Sequence, residues 1–121
     1  MKQLILVFIG GGTGSVARFL VSKYLNNEIS PIPYGTFTAN ALGSFLIGII
    51  LGVALKNNIL SQNAVLLLAT GFCGGFTTFS TFAYENHMLL QSNNIISFFI
   101  YSLGTFVIGF LLVFLGMWIT K

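Results

Sequence analysis

The chain has 121 residues, 55% of them hydrophobic, with five Lys/Arg against two Asp/Glu. A soluble domain carries about 25% charged residues and this chain carries 6%, which excludes a water-soluble monomer. The net charge of +3 is spread too thinly to form a basic patch or stripe, so nucleic acid is not expected as a partner.

Four membrane spans are predicted, at about 3–25, 34–55, 60–90 and 95–120. The three charge-free runs that follow Glu28, Lys56 and Glu85 hold 27, 28 and 35 residues, counting His87 as neutral. Each exceeds the roughly 20 residues that a helix needs to cross a bilayer. The N-terminal run begins like a signal peptide, with Lys2 before Leu4-Ile5-Leu6-Val7-Phe8-Ile9. No small-x-small cleavage site follows it, and Arg18 falls where the span continues, so a retained first helix is expected. The segment Asn26 to Pro33 contains both prolines and forms the first connection. Lys56-Asn57-Asn58 ends the second span, and Gln91-Ser92-Asn93-Asn94 separates the third from the fourth. Tyr24, Tyr34, Tyr84 and Trp118 fall near span ends, as interfacial aromatics do. The whole chain, 1–121, is therefore a single four-helix transmembrane domain, and so thin a bundle needs a second subunit to wall any aqueous path. With an even number of spans, Lys2, Lys56 and Lys121 share one side while Arg18 and Lys23 lean to the other. Three against two is a weak bias, compatible with insertion both ways up and with an antiparallel dimer.

Helices in lipid associate through small residues and interhelical hydrogen bonds, and the chain carries such stripes at four-residue spacing. They are Gly10, Gly14, Arg18 and Ser22 in span one, Thr36, Asn40, Ser44, Gly48 and Gly52 in span two, and Ser97, Tyr101, Thr105 and Gly109 in span four. Tight packing accounts for the glycines. Asn40 has donors and an acceptor to satisfy at mid-span, so it is expected to face a partner or a water-filled path. Two roles fit Arg18: snorkelling or capping carbonyls at a helix end, and attracting anions. Glu85 near the end of span three is placed at headgroup level, His87 at the interface, and Cys73 in packing.

Span three is too long for one straight crossing. Its stretch Gly71-Phe72-Cys73-Gly74-Gly75-Phe76-Thr77-Thr78-Phe79-Ser80-Thr81-Phe82 makes a poor continuous helix. An unwound turn at mid-membrane is expected, tolerated only where it is buried or lines a cavity. Its freed carbonyls suit a small cation, its N–H and hydroxyl groups an anion, while Phe76, Phe79 and Phe82 at this spacing also fit a plain packing stripe. Gly12-Thr13-Gly14-Ser15-Val16-Ala17 matches a dinucleotide-binding fingerprint, but no strand–helix–sheet context surrounds it. With one His, one Cys and two acids in different connections, no catalytic set is available and no enzyme is expected.

Taken together, Gly10-Gly11 with Gly14 and Arg18, Gly35-Thr36 with Asn40 and Gly43, and the 71–82 stretch with Glu85 resemble the CrcB/Fluc fluoride channel family. The resemblance implies an all-α membrane protein of four transmembrane helices per subunit. The third helix would be broken at mid-membrane, and the subunits inserted as an antiparallel dual-topology dimer in the cell's inner or plasma membrane. It implies two narrow pores that export fluoride passively. A central structural sodium ion would be held by the backbone carbonyls of Gly74 and Thr77. Residues implied along the fluoride pathway are Phe79 and Phe82, Asn40 as a donor near them, Thr36, Ser80 and Thr81, Tyr101 and Thr105 on span four, and Arg18 toward the vestibule. Expected partners are thus fluoride, membrane lipid, and a second copy of the chain or a homologous subunit. The rivals are a small multidrug-type cation/proton antiporter, which needs an acid in span one where this chain has Arg18, and a non-transporting membrane assembly subunit, which needs only the packing stripes.

Overall fold

The computed structural model describes residues 1–56 and 59–121, so Asn57 and Asn58 of the predicted second stop lie outside the described residues. Four helical spans are present, and no strand occurs among the described residues. Helix α1 is Lys2–Leu25 and α2 is Tyr34–Leu55. The third span divides into α3, residues 62–76, and α4, Ser80–Gln91. Helix α5 is Ile95–Ile119.

The connections follow from their residues. In the first, Asn26 Oδ1 accepts from Gly35 N at 2.6 Å, and Asn27 Oδ1 accepts from Ile29 N and Ser30 N at 3.0 and 2.8 Å. Side-chain carboxamides thus occupy donors that the proline-rich turn leaves without backbone partners. Ser61 Oγ caps α3 by accepting from Ala64 N at 3.1 Å. The turn between α4 and α5 places Asn93 at φ 63°, a left-handed conformation that asparagine tolerates.

Helix α1 packs along α3, and α2 packs along α5. Both seams are glycine seams. A Cβ at Gly10 would strike the Leu67 carbonyl oxygen, and one at Gly75 would strike that of Gly11. On the second seam, a Cβ at Gly48 would lie 2.5 Å from Val113 O, and one at Gly116 2.7 Å from Phe45 O. In lipid this close backbone approach supplies the van der Waals contact that holds helices together. Outside the seams the spans present apolar side chains outward, Phe8 and Phe19 on α1 and Phe110, Phe114 and Trp118 on α5 among them. With their span-length apolar helices, these outward faces make the chain a multi-pass membrane protein.

The expected break falls inside the 71–82 stretch. Between Leu66 and Cys73 the third span is wound as a wider π-helix, α-helical winding returns for Gly74–Phe76, and Thr77 is extended at φ −90°, ψ 157°. Helical geometry resumes at Phe79 and Ser80. Two β-branched threonines after a glycine pair put the weakest helical propensity of the span at this point.

Candidate functional site: a polar recess at the helix break

Side chains take up several of the backbone groups released by the break. Asn40 on α2 grips Thr78 at two points, with Oδ1 accepting from Thr78 N at 2.8 Å and Nδ2 donating to Thr78 O at 3.1 Å. Arg18 Nε donates to Gly75 O at 3.0 Å, so this side chain caps a carbonyl at the helix end. Thr78 Oγ1 accepts from Thr81 N at 3.2 Å and lies 3.4 Å from Ser80 Oγ, capping the start of α4. In an unbroken helix Thr78 N would serve Gly74 O and Thr81 N would serve Thr77 O. Both donors are diverted to side-chain oxygens. The carbonyls of Gly74 and Thr77 are thereby released from the usual helical pairing, and Gly74 is exposed on the chain's surface.

Beside the break lie two adjoining recesses of about 230 and 320 Å³. Asn40, Thr77, Thr105 and Phe106 line both; Phe79 and Phe82 line the smaller, Gly74 and Ser44 the larger. Among the described residues, no charged side chain lines either one. Thr105 Oγ1 is buried with no hydrogen-bond partner among the described residues, an arrangement that is costly in a membrane interior unless some other acceptor receives its hydrogen bond. Asn40 Nδ2 carries a second hydrogen beyond the one given to Thr78. Phe82 is buried and meets Phe106 edge-on, with ring centroids 5.8 Å apart and planes at 89°. Phe79 is 73% exposed although its ring lies 6.1 Å from that of Phe82, so Phe76, Phe79 and Phe82 do not form one buried stripe within the single chain.

Glu85 is held between two neighbouring helices. Thr36 Oγ1 donates to Glu85 Oε2 and the Tyr101 hydroxyl donates to Oε1, both at 2.7 Å. Thr36 and Tyr101 are 1% and 2% exposed. The cluster joins α2, α4 and α5 through one carboxylate. Phe82, its ring tilted at 57° to that of Tyr101 with centroids 5.1 Å apart, connects it to the recess.

The predicted residues therefore fall into three groups. Asn40, Thr77, Phe79, Phe82 and Thr105 converge on the recesses, with Gly74 on the larger. Thr36 and Tyr101 meet at Glu85, whereas Arg18, Ser80 and Thr81 serve the ends of the broken helix. Sequence reasoning noted Glu85 without placing it in the site, and it did not name Phe106. An ionisable residue inside an apolar run was the available signal for Glu85, and none singled out Phe106 among the 13 phenylalanines.

The fold and recess define a class: a helical membrane protein built around a broken span, with uncharged hydrogen-bond donors turned into a cavity beside the break. A family model described as "CrcB-like protein, Camphor Resistance (CrcB)" matches residues 5–117, and the chain belongs to that family. It is 45% identical over 122 residues to a fluoride-specific ion channel FluC of Gloeothece citriformis (strain PCC 7424), covering 100% of this chain and 98% of the relative. It is also similar to proteins of the same name from Phocaeicola vulgatus, at 44% identity with 100% of both chains covered, and from Chlorobaculum tepidum, at 45% with 100% and 96% covered.

Proposed function

We propose that the chain is a fluoride-selective channel subunit through which fluoride leaves the cytoplasm down its gradient. It works as an antiparallel dimer with two pores, in the cell's inner or plasma membrane, and is a transport protein rather than an enzyme. The observation that carries this is the recess: an unpartnered buried Thr105 hydroxyl, the spare hydrogen of Asn40 and the rings of Phe79, Phe82 and Phe106, with no charged side chain in the lining. The ion's identity is supported by relatives of matching length named fluoride-specific ion channel.

Fluoride is small and strongly hydrated, so a pore must replace its water without holding it fast. Neutral hydroxyl and amide donors supply hydrogen bonds one at a time. Aromatic rings carry a positive edge, so an anion meeting Phe82 or Phe79 at the rim is solvated without a full countercharge. A cationic side chain lining the recess itself would act as a trap. Thr36, Glu85 and Tyr101 form the polar cluster at one end of the path, Ser80 and Thr81 sit at the start of α4, and Arg18 lies toward the vestibule.

A single chain leaves this path open: Phe79 projects outward, and the Gly74 backbone is exposed. A second copy or a homologous subunit, inserted the other way up, closes it and adds its own rings. Gly74 O and Thr77 O, released from helical donors, suit a sodium ion shared between two such breaks. Carbonyl oxygen is the donor type this ion takes in unwound membrane helices. When bound, sodium supplies positive charge that offsets the anions passing beside it.

An antiporter of the small multidrug type would need an acid on α1, and α1 carries none. The deciding measurement is efflux from liposomes holding the purified chain, followed with fluoride- and chloride-selective electrodes. Rapid fluoride loss with chloride at background is expected. Absent fluoride loss, or equal chloride loss, would overturn the proposal.

A further inference from the structure

Helix α4 has one buried stripe, Phe82, Asn86 and Leu89, and its main helical neighbour is α5. Phe82 and Leu89 pack into the same apolar cluster as Tyr101. Between them a leucine would continue the packing, yet the position holds a carboxamide that is 7% exposed. Both of its ends are occupied: Asn86 Nδ2 donates to Phe82 O at 3.0 Å, and Ser102 Oγ donates to Asn86 Oδ1 at 2.8 Å. Neither residue lines the recesses, so neither is placed to touch an ion there.

We propose that Asn86 and Ser102 are positioning residues, whose hydrogen bond sets the rotation of α4 that keeps Phe82 on the recess and Glu85 between Thr36 and Tyr101. The proposal rests on the fluoride channel function above. Asn86 adjoins Glu85 in sequence and Ser102 adjoins Tyr101, so α4 is pinned to α5 by two neighbouring bonds and to α2 by a third. Side-chain atoms lie about 5–6 Å from a helix axis, so a rotation of roughly 10° moves them by about 1 Å. That displacement carries a 2.7 or 2.8 Å bond beyond hydrogen-bonding range. In lipid no water is at hand to replace the lost partner, so the short helix turns about the apolar contacts of Phe82 and Leu89 until other contacts stop it. The back-bond from Asn86 Nδ2 to the Phe82 carbonyl makes the link local. It ties the carboxamide that receives Ser102 to the residue whose ring walls the recess.

The test compares Ser102→Thr with Ser102→Val, side chains of the same shape that differ in the hydroxyl, by fluoride efflux per folded reconstituted molecule. Ser102→Thr is expected to stay within about twofold of the wild-type chain and Ser102→Val to fall by about tenfold, the low end of the loss seen when a supporting hydrogen bond behind a metal ligand is removed. A purely structural bond would lower the melting temperature of Ser102→Val and leave its flux per folded molecule equal to that of Ser102→Thr; that result overturns the proposal. Should valine prevent folding, Ser102→Ala adds no bulk, and wild-type flux in that variant overturns the proposal equally. A wild-type chain that passes no fluoride refutes the channel function itself, whereas a conducting wild type with matching Thr and Val variants refutes only the positioning role.

Discussion

Residues 62–76 lie against α1 through nearly bare backbone, whereas Ser80–Gln91 is fastened to its neighbours by side-chain hydrogen bonds. The first half of the span is set by the absence of side chains: Gly10 meets Gly71, and Gly11 meets Gly75. The second half is set by Thr36, Tyr101 and Ser102 acting on Glu85 and Asn86. Van der Waals seams of this kind respond to volume and are indifferent to polarity. Hydrogen-bonded attachments respond to polarity and tolerate modest changes in volume. Assembly should therefore depend on the first half and permeation on the second, with Asn40 and Thr78 at the junction.

The largest effect is expected from Gly14→Val. Its added carbons would strike the Phe72 carbonyl oxygen and lie 2.9 Å from Phe76 N, both backbone atoms that no rotamer change moves aside. Overpacking ordinarily costs about 1–3 kcal/mol, and with backbone on the receiving side the upper end or beyond is expected. Size-exclusion chromatography should show little or no monodisperse protein. A well-behaved variant would mean that α1 and α3 separate at little cost, and the contrast between the two halves would fail.

Asn40→Asp probes the junction, where polarity should matter more than volume. The aspartate keeps an acceptor for Thr78 N but turns a second oxygen toward Thr78 O in place of the amide donor. It also sets a negative charge on the wall of both recesses. Two like charges about 4 Å apart repel by about 4 kcal/mol at an effective dielectric near 20, and a barrier raised by that amount slows passage by roughly a thousandfold. Fluoride efflux is expected to fall to background while the elution volume is unchanged. Retained flux would take Asn40 out of the ion's path.

The same contrast explains what the sequence made legible. Four long helices were legible because charged residues, prolines and asparagine runs punctuate otherwise apolar stretches. The break was visible because glycines followed by threonines interrupt a span already too long. The partners of the polar residues were not legible. Thr36 and Glu85 are 49 positions apart, and Glu85 and Tyr101 are 16 apart; periodicity places each on a helix face but does not say which faces meet. Asn40 was expected to offer its donor to an ion, and it spends one hydrogen and its oxygen on Thr78 first. Composition marks a carboxamide in lipid as significant without saying whether it serves the backbone or the cavity.

The smallest effect is expected two residues from Gly14 on the same helix. A Cβ at Gly12 would have no neighbour within 4 Å, and the residue is exposed. If the first half of the span is held only along the seam, Gly12→Ala should change the melting temperature by no more than a surface substitution does, about 0.5 kcal/mol or less in stability. Any change should lean toward stabilisation, because alanine is the better helix former. Thermal unfolding in detergent, read beside fluoride efflux, checks this. Loss of assembly in Gly12→Ala would show that this outward face of α1 meets a second copy at close range. The glycine seam would then extend across subunits, and α1 would carry two packing faces instead of one.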